Sequence, residues 1–440
     1  MAKKLEEIKE EECPYELPDG WKWERLGNVT KRIKRGKSPK YTEKSNVLVF
    51  AQKCNQKSGE ISLEKALFLD LEKLSKYKDD DFLYRKDVVV NSTGTGTLGR
   101  VGFFDIPLIY DCDRIVPDSH VTVIRANEII LSECLYYYLK SKQTLLESLG
   151  EGSTNQKELK VATLENLLLP LPPKETQQKI VDIIDSLFAK LDIAQEKVEQ
   201  VLAESENRRS AILHNAFSGK LTEKWRKENN VSFDSWCIDK LKNFDIEIID
   251  GDRGKNYPKK EEFSNKGECV FLNAKNVTKK GFSFSEVQFI SKEKDDLLRK
   301  GKLVRGDIVL TTRGTIGNIA LYDDVIPYNN MRINSGMVIY RCGDTLYKPF
   351  LINLYRSKYI IDQINEMQTG SAQSQLPIKI MNELELCLPT LLEQKEIVRL
   401  LDKFLSVEDK VKSTCQSTLE AIATMRKSIL AKAFRGELCS

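Results

Sequence analysis

The chain has 440 residues, 41% of them apolar and 30% charged, and a formal net charge of +4. This balance suits a globular protein of two or three domains, and no apolar run reaches the roughly 20 residues of a membrane helix. A charge so close to neutral excludes a uniformly basic polyanion binder, so any nucleic-acid contact has to come from locally concentrated charge.

The opening "MAKKLEEIKEEEC" has no apolar core, so it does not read as a secretory signal, and a cytoplasmic location is the default expectation. Ten cysteines without a C-x-x-C pair read as reduced, mostly buried thiols. With only His120 and His214 available, a zinc site is not expected. Residues 30–40, "TKRIKRGKSPK", hold six Lys/Arg and no acid. They form either a solvated basic loop or a polyanion contact.

Next comes "DVVVNSTGTGTLGRVGFFD" (87–105), where Gly94, Gly96 and Gly99 have the spacing of a dinucleotide-phosphate loop. Such a loop needs a helix directly after it, because the pyrophosphate sits at that helix's N-terminus. Here "RVGFFD" reads as a second strand. The stretch is therefore expected to be strand–turn–strand, with glycine supplying the positive-φ turn. Pro117-Asp118 with Glu158-Leu159-Lys160 allows a metal-dependent nuclease to be drawn, but the second half of the chain has no copy of it. Residues 132–149 read as short helices.

Residues 171–221 then align without a gap to 388–438, an offset of 217. Both copies open on Leu-Pro and close on Phe-x-Gly-x-Leu, at Phe217-Gly219-Leu221 and Phe434-Gly436-Leu438. Both read as one long helix each. Pro172-Pro173 suits the first start, Thr390-x-x-Glu393 makes a capping box for the second, and Gly219 and Gly436 suit left-handed stops. Apolar residues recur at heptad spacing, which predicts a seam. In the first copy it runs through Leu187, Leu191, Val198, Val201, Arg208 and Ile212. In the second it runs through Phe404, Glu408, Val411, Cys415, Ile422, Met425 and Ile429. Antiparallel pairing would bury both seams, set Arg208 against Glu408, and set Leu191 against Met425. The segments before each helix repeat more weakly. "DIVLTTRGTIGNIALYDD" (307–324) parallels the glycine stretch but lacks its middle glycine, and "RGK" recurs at 35–37 and 253–255.

Catalytic signatures are missing. No Asn-Pro-Pro methyltransferase motif and no G-x-x-x-x-G-K-[ST] phosphate loop occurs, and no Ser/His/Asp set is convincing. His120 and His214 read as packing or surface residues.

"ELPDGWKWERLG" (16–27), the segments "GEGSTNQKEL" (150–159) and "TGSAQSQLP" (369–377), and the Leu-Pro…Gln-x-x-Ile-Val helix openings resemble the specificity subunit of Type I restriction–modification systems. The resemblance spans essentially the whole chain and includes the repeat. The second half keeps Trp236 and Leu241 but lacks the Leu-Pro-x-Gly-Trp lead. The resemblance implies a mixed α/β (α+β) fold with a pseudo-two-fold internal repeat. Two similar target-recognition globules, 1–173 and 222–390, would be joined by two long antiparallel coiled-coil spacer helices, 174–221 and 391–440. It implies a DNA-binding subunit without catalytic activity, cofactor or metal of its own. Its partners would be double-stranded DNA, two modification (adenine methyltransferase) subunits that hold S-adenosylmethionine, and restriction/translocase subunits that use ATP and magnesium, with no membrane. The alternative is a free-standing DNA nuclease or methylase-associated enzyme.

Candidate DNA contacts follow from basic and hydroxyl residues on turns and loops. In the first globule they are Arg32, Arg35, Lys37, Lys53, Lys57, Arg100 and Arg114, with Thr93 and Thr95 on the turn. In the second they are Arg253, Lys255, Lys275, Lys279, Arg313 and Arg332. Residues present in both halves stand first: Arg35 with Arg253, Lys53 with Lys275, and Arg114 with Arg332.

Overall fold

Runs of Val, Ile, Leu and Phe between glycine-containing and polar turns become short strands, because such side chains fit a pleated, buried surface. The structure, a computed structural model, describes residues 7–56, 59–94, 96–152, 157–368 and 375–438. The chain divides into two units, Met1–Val198 with Ser417–Ser440, and Glu199–Gln416. The unit boundaries thus fall inside the two long helices, whose first residues are Lys174 and Leu391.

The first unit contains β1 (Lys22–Arg25), β2 (Thr30–Arg35), β3 (Tyr41–Thr42), β4 (Val47–Phe50), β5 (Leu67–Leu69), β6 (Asp87–Asn91), β7 (Val101–Phe104), β8 (Arg114–Pro117), β9 (Val121–Ala126) and β10 (Leu168–Leu171). One antiparallel sheet has the order β2-β9-β6-β7. A second has the order β3-β5-β4-β8, with β4 and β8 parallel. β1 and β10 pair antiparallel and tie the entry of the globule to its exit. Helices α1 (Ser132–Ser141), α2 (Gln143–Ser148) and α3 (Val161–Glu165) complete it before α4 (Lys174–Ala203).

The second unit repeats the plan. After α5 (Ser205–Phe217) and α6 (Glu223–Glu228) come β11 (Cys237–Lys240), β12 (Ile246–Asp250), β13 (Cys269–Leu272), β14 (Val277–Thr278), β15 (Gly281–Phe282) and β16 (Phe289–Ile290). Then follow α7 (Lys292–Leu297), β17 (Ile308–Thr311), β18 (Ile319–Leu321), β19 (Met331–Ile333), β20 (Met337–Cys342), α8 (Lys348–Tyr355), α9 (Lys358–Gln368), α10 (Ile378–Met381), β21 (Glu385–Leu388) and α11 (Leu391–Ala433). The sheets are β12-β20-β17-β18 and β16-β13-β19, with β13 and β19 parallel, and β11 pairs β21.

The glycine stretch is a strand–turn–strand element, as its residues predict. β6 and β7 are antiparallel neighbours, with Val90 opposite Val101. Gly94, Gly96 and Gly99 all take positive φ (104°, 75° and 76°) in the turn between them. Gly99 N–H donates to Asn91 O at 2.8 Å, and Gly317 N–H donates to Thr311 O at 3.0 Å in the shorter copy between β17 and β18.

Register corrects two of the paired motifs. A Cβ on Gly36 would lie 2.1 Å from Asp118 O, and a Cβ on Gly251 would lie 2.2 Å from Asn334 O. Gly36 and Gly251 are therefore equivalent, and "RGK" at 253–255 sits three residues past its supposed counterpart. Phe50 pairs with Pro117 and Leu272 with Ile333 at the ends of the parallel strands, so Arg332 corresponds to Val116 rather than to Arg114.

The Gln-x-x-Ile-Val openings have a structural reason. Buried Gln177 accepts from Leu131 N–H (2.8 Å) and donates to Ile129 O and Pro172 O (3.0 Å each). Buried Gln394 accepts from Tyr347 N–H (2.7 Å) and donates to Thr345 O (3.3 Å) and Pro389 O (2.9 Å). Each glutamine pins its helix start to its own globule. At the second start only half of the expected capping box forms, Glu393 N–H to Thr390 Oγ1 at 3.4 Å. The Glu393 carboxylate turns inward instead. It accepts from Thr222 and Arg226 at 2.6 Å and from the Trp236 indole at 3.0 Å.

The first long copy is not one helix. α4 and α5 meet at Glu204, beside which Arg208 donates to Val201 O at 3.0 Å. Ser205 N–H would take that carbonyl in an unbroken ladder, and such an inserted side chain is an ordinary cause of a helix irregularity. α11 is continuous over 43 residues. Gly219 and Gly436 take φ of 77° and 80° just past the helix ends, as expected.

In each unit the start of one long helix packs with the end of the other. Ile180 and Ile184 share a core with Leu430, Ala433 and Phe434 in the first. Ile397 and Leu401 share a core with Ala216 and Phe217 in the second. The pairing is thus antiparallel, and Arg208 Nε lies 3.1 Å from both Glu408 carboxylate oxygens. The seam itself needs revision. Val201, Phe404 and Met425 are 38%, 40% and 52% exposed. Leu202, Leu405 and Arg426 are partly buried in their place, and Arg426 pairs with Asp192 and stacks on Phe188. Met425 is therefore not a buried position of the seam. A straight α-helix drifts about 20° per heptad from a strict 3.5-residue repeat, which moves the buried stripe over by one position. Leu187, Leu191, Val198, Ile212, Val411, Cys415 and Ile429 are partly buried, and Ile422 is buried.

Candidate nucleic-acid interface

The basic stretch 30–40 is largely spent inside the first unit. Asp81 lies in the 3-10 turn after Lys78 and is 3% exposed. Lys34 and Lys37 donate to its carboxylate at 2.8 and 2.5 Å, and Arg32 lies 3.7 Å away. Burial opposes its charge, but the donations from Lys34, Lys37 and Lys78 N–H outweigh burial and hold the carboxyl well below the usual range. The Arg32 side chain is 7% exposed, so Arg32 is an interior charge and not a groove contact. Arg35 pairs with Glu158 and donates to Ser119 O, while Lys37 also lies over the Tyr77 ring.

Lys53 lines a cleft of about 570 Å³ together with Tyr41, Ala51, Gln52, Lys65, Leu67, Asp118 and His120, whereas Arg114 lies at the opposite end of β8 in a separate hollow with Phe82 and Tyr84. Lys53 stands in the single 3-10 turn Gln52–Cys54 directly after β4, exposed, with no ion pair among the described residues. Thr93 Oγ1 lies 2.5 Å from His120 Nδ1, and Asp118 accepts from His120 N–H at 2.8 Å. Burial pushes the Asp118 carboxyl up. Arg100 folds back onto Gly96 O at 2.8 Å, and Arg114 stands at the β8 end over the Phe82 ring, half exposed. Lys57 and Thr95 lie outside the described residues.

The second unit has a cleft of about 790 Å³ beside the corresponding lysine turn, lined by Asn265, Asn273, Lys275, Phe284, Ser285, Glu286, Val287, Gln288, Phe289 and Tyr328. Lys275 occupies the 3-10 turn Ala274–Asn276 directly after β13, as Lys53 does after β4, and pairs with Glu286 at 2.7 Å. Lys279 is exposed at the tip between β14 and β15, and Lys255 is exposed in the loop after β12. Arg253 donates to Ser335 O at 3.3 Å, the counterpart of the Ser119 carbonyl that Arg35 uses. Arg313 is exposed on the β17–β18 turn.

Arg332 has a different role from the one expected. It is 4% exposed and pairs with the Asp295 carboxylate. Its other donors reach Lys300 O (2.8 Å), Asp295 O (2.9 Å) and Leu298 O (3.0 Å). A guanidinium so buried, with four of its five N–H groups engaged in the interior, is not placed to meet a base edge.

Chemistry of the nuclease kind finds no assembled site. Glu158 is tied to Arg35 and Lys160 to Glu151, and no group of three metal-ligating side chains occurs among the described residues. No helix among them is long and apolar enough to cross a membrane.

The duplicated plan, with a basic turn beside a cleft in each copy, is matched by a family model described as the Type I restriction modification DNA specificity domain, over residues 18–203 and again over 241–421. The chain belongs to that family. It is 24% identical to the Type I restriction enzyme EcoKI specificity subunit of Escherichia coli strain K12, over 96% of this chain and 90% of that protein. It is 25% identical to the Type I restriction enzyme EcoBI specificity subunit of Escherichia coli, over 81% of this chain and 74% of that protein. The fold is shared with the HsdS subunit from Thermoanaerobacter tengcongensis (TM-score 0.63, 19% identity, 96% of this chain and 99% of that one). It is also shared with a chain solved in work on complex assembly and conformational transition of the type I R-M system (TM-score 0.69, 20% identity, 96% and 100%). The specificity-domain repeat is thus the one the Leu-Pro…Gln-x-x-Ile-Val openings announce.

Sequence reasoning did not place Tyr41, Gln52, Lys65 and His120 along the first cleft, nor Asn265, Asn273 and Gln288 along the second. One signal was present for the basic stretch: the acid run Asp79-Asp80-Asp81 is the natural counter-charge for residues 30–40.

Proposed function

We propose that this specificity-family chain reads an interrupted site on double-stranded DNA, one half with each unit, and performs no chemistry itself. Supporting this is one observation above the rest: a single strand plan is built twice around different cleft-lining side chains. Identical globules would suit a palindrome, whereas unlike ones suit an asymmetric, split site. Phosphates would be met by exposed cations, namely Lys53 and Arg114 in the first unit and Arg253, Lys255, Lys275 and Lys279 in the second, while Lys37 is largely taken up by Asp81. Arg35, Thr93, Arg100 and Arg313 stand at the turns that border the clefts. The paired long helices would serve as spacer and as docking surface for two modification subunits, which supply S-adenosylmethionine and methylate adenine. Restriction/translocase subunits using ATP and magnesium would complete the assembly in the cytoplasm.

The test is DNA retention by the chain with its modification subunits, measured against salt. Affinity should fall steeply with salt, and Lys53→Gln with Lys279→Gln should lower the slope of log K against log[salt] by about 2, near 0.9 per lost phosphate contact. Methylated-adenine mapping in cells should return one interrupted motif. An unaltered slope together with methylation at no common motif would refute the proposal.

A further inference from the structure

One pair of facing positions exchanges its side chains between the two units. Ser92 N–H donates to His120 O at 2.8 Å, and Thr312 N–H donates to Gly336 O at 2.8 Å. Thr93 bridges to Glu158, and Arg313 bridges to Gln375. Thr93 therefore corresponds to Arg313, and His120 to Gly336. In the first unit the turn residue is short and the facing loop supplies an imidazole. In the second the facing residue is glycine, whose absent Cβ would sit 3.5 Å from Arg313 Cβ, and the turn supplies a guanidinium.

Both large side chains are exposed, and both turns adjoin the lysine turn of their own cleft. A Cβ on Gly94 would meet Gln52 Oε1 at 2.4 Å, and one on Gly314 would meet Ala274 Cβ at 3.9 Å. Arg313 spends no side-chain donor on any described residue, unlike Arg332. His120 is oriented by Thr93 through Nδ1, which leaves Nε2 without a partner among the described residues.

We propose that this pair of positions is a specificity-determining element of each half, resting on the reading of the chain as a DNA-site reader. His120, held by Thr93, contacts one base pair of the first half-site. Arg313, given room by Gly336, selects guanine in the second. A free planar guanidinium donates two parallel hydrogen bonds to guanine O6 and N7 in the major groove, which no other base edge accepts, whereas a lone imidazole nitrogen makes one bond and discriminates less.

The experiment uses the chain in complex with its methyltransferase subunits and a pool of random-sequence duplexes. Bound duplexes are sequenced for the wild type, Arg313→Ala, Arg313→Lys, His120→Ala and the graft Thr93→Arg with His120→Gly. Wild type should select a bipartite motif with a fixed guanine in one half. Arg313→Ala and Arg313→Lys should lose roughly 10- to 100-fold of the preference at that one position, with the other half intact and the melting temperature unchanged. His120→Ala should relax one position of the opposite half. The graft should create a guanine preference there. A wild-type motif untouched by Arg313→Ala, or equal loss in both halves, would overturn the inference and leave the proposed function standing. A wild-type complex selecting no bipartite motif would remove both.

Discussion

Replacing Arg332 with Ala separates a structural charge from a recognition charge. The guanidinium neutralises Asp295, which is 2% exposed, and fills three interior carbonyls besides. Without it, Asp295 keeps Lys302 (2.7 Å) and Asn330 (3.0 Å) as donors, and the carbonyls of Leu298 and Lys300 lose theirs. Breaking a buried ion pair from one side costs about 3–5 kcal/mol. For a unit near 200 residues each kcal/mol is worth about 2–4 °C, so the Glu199–Gln416 unit should melt roughly 6–20 °C lower. Hydrogen exchange should quicken first in α7 and β19, which the pair joins. Arg332→Lys keeps the charge but loses the fork, and should fall between. At temperatures where the variant is folded, half-site preference should match wild type. Unchanged melting with a base-specific loss of recognition would refute the argument and return Arg332 to the groove.

Acid should weaken the same unit in a defined window. Burial opposes the Asp295 charge, but donations from Lys302, Arg332 and Asn330 outweigh it and bring the carboxyl down to about 2 from an ordinary 3.8. That shift is worth about 2 kcal/mol, fully present above about pH 4 and lost as the pH falls toward 2. Asp295→Asn should abolish this dependence in a pH series of melting curves, and a variant curve parallel to wild type would disprove it. A double-mutant cycle on Arg208→Met and Glu408→Gln should give a coupling of about 1 kcal/mol, since Arg208 is a third exposed; strict additivity in urea titrations would show that the pair sets no register. Arg226→Met leaves the fully buried Glu393 carboxylate with Thr222 and Trp236 as its donors among the described residues, so about 3 kcal/mol of stability should go, read as a lower urea midpoint, and a midpoint equal to wild type would count against the network.

Elements of long range and strong period were legible from the residues alone. The helix starts at Lys174 and Leu391, the stops at Gly219 and Gly436, the strand–turn–strand at Gly94–Gly99 and the Arg208–Glu408 pair all follow from capping, glycine conformation and the repeat. What escaped was decided by register. A two-residue slip along β19 turns Arg332 from the counterpart of exposed Arg114 into the counterpart of buried Val116. A drift of one position per few heptads exposes Val201, Phe404 and Met425. Counter-charges far away in sequence escaped as well. Nothing local says that Lys34 and Lys37 face Asp81, some 45 residues on, because strand pairing brings them together.

The repeat also reverses an intuition about which residues recognise DNA. Residues shared by both halves look like contacts because they recur, yet two units that read different bases have no reason to share their readers. Gln177 and Gln394 recur and pin helices, while Lys53 and Lys275 recur on equivalent turns, where the proposed partner is a phosphate, which has no sequence. Discrimination belongs where one backbone position holds unlike chemistry. The exchange of Thr93 and His120 for Arg313 and Gly336 keeps the same backbone hydrogen bond, Ser92 to His120 and Thr312 to Gly336, and changes only what projects beyond it. The scaffold is thereby insulated from the side chain, so on the proposed reading a new specificity at this point would cost the fold little, and the half that holds arginine would differ from the half that holds histidine in the base pair it selects.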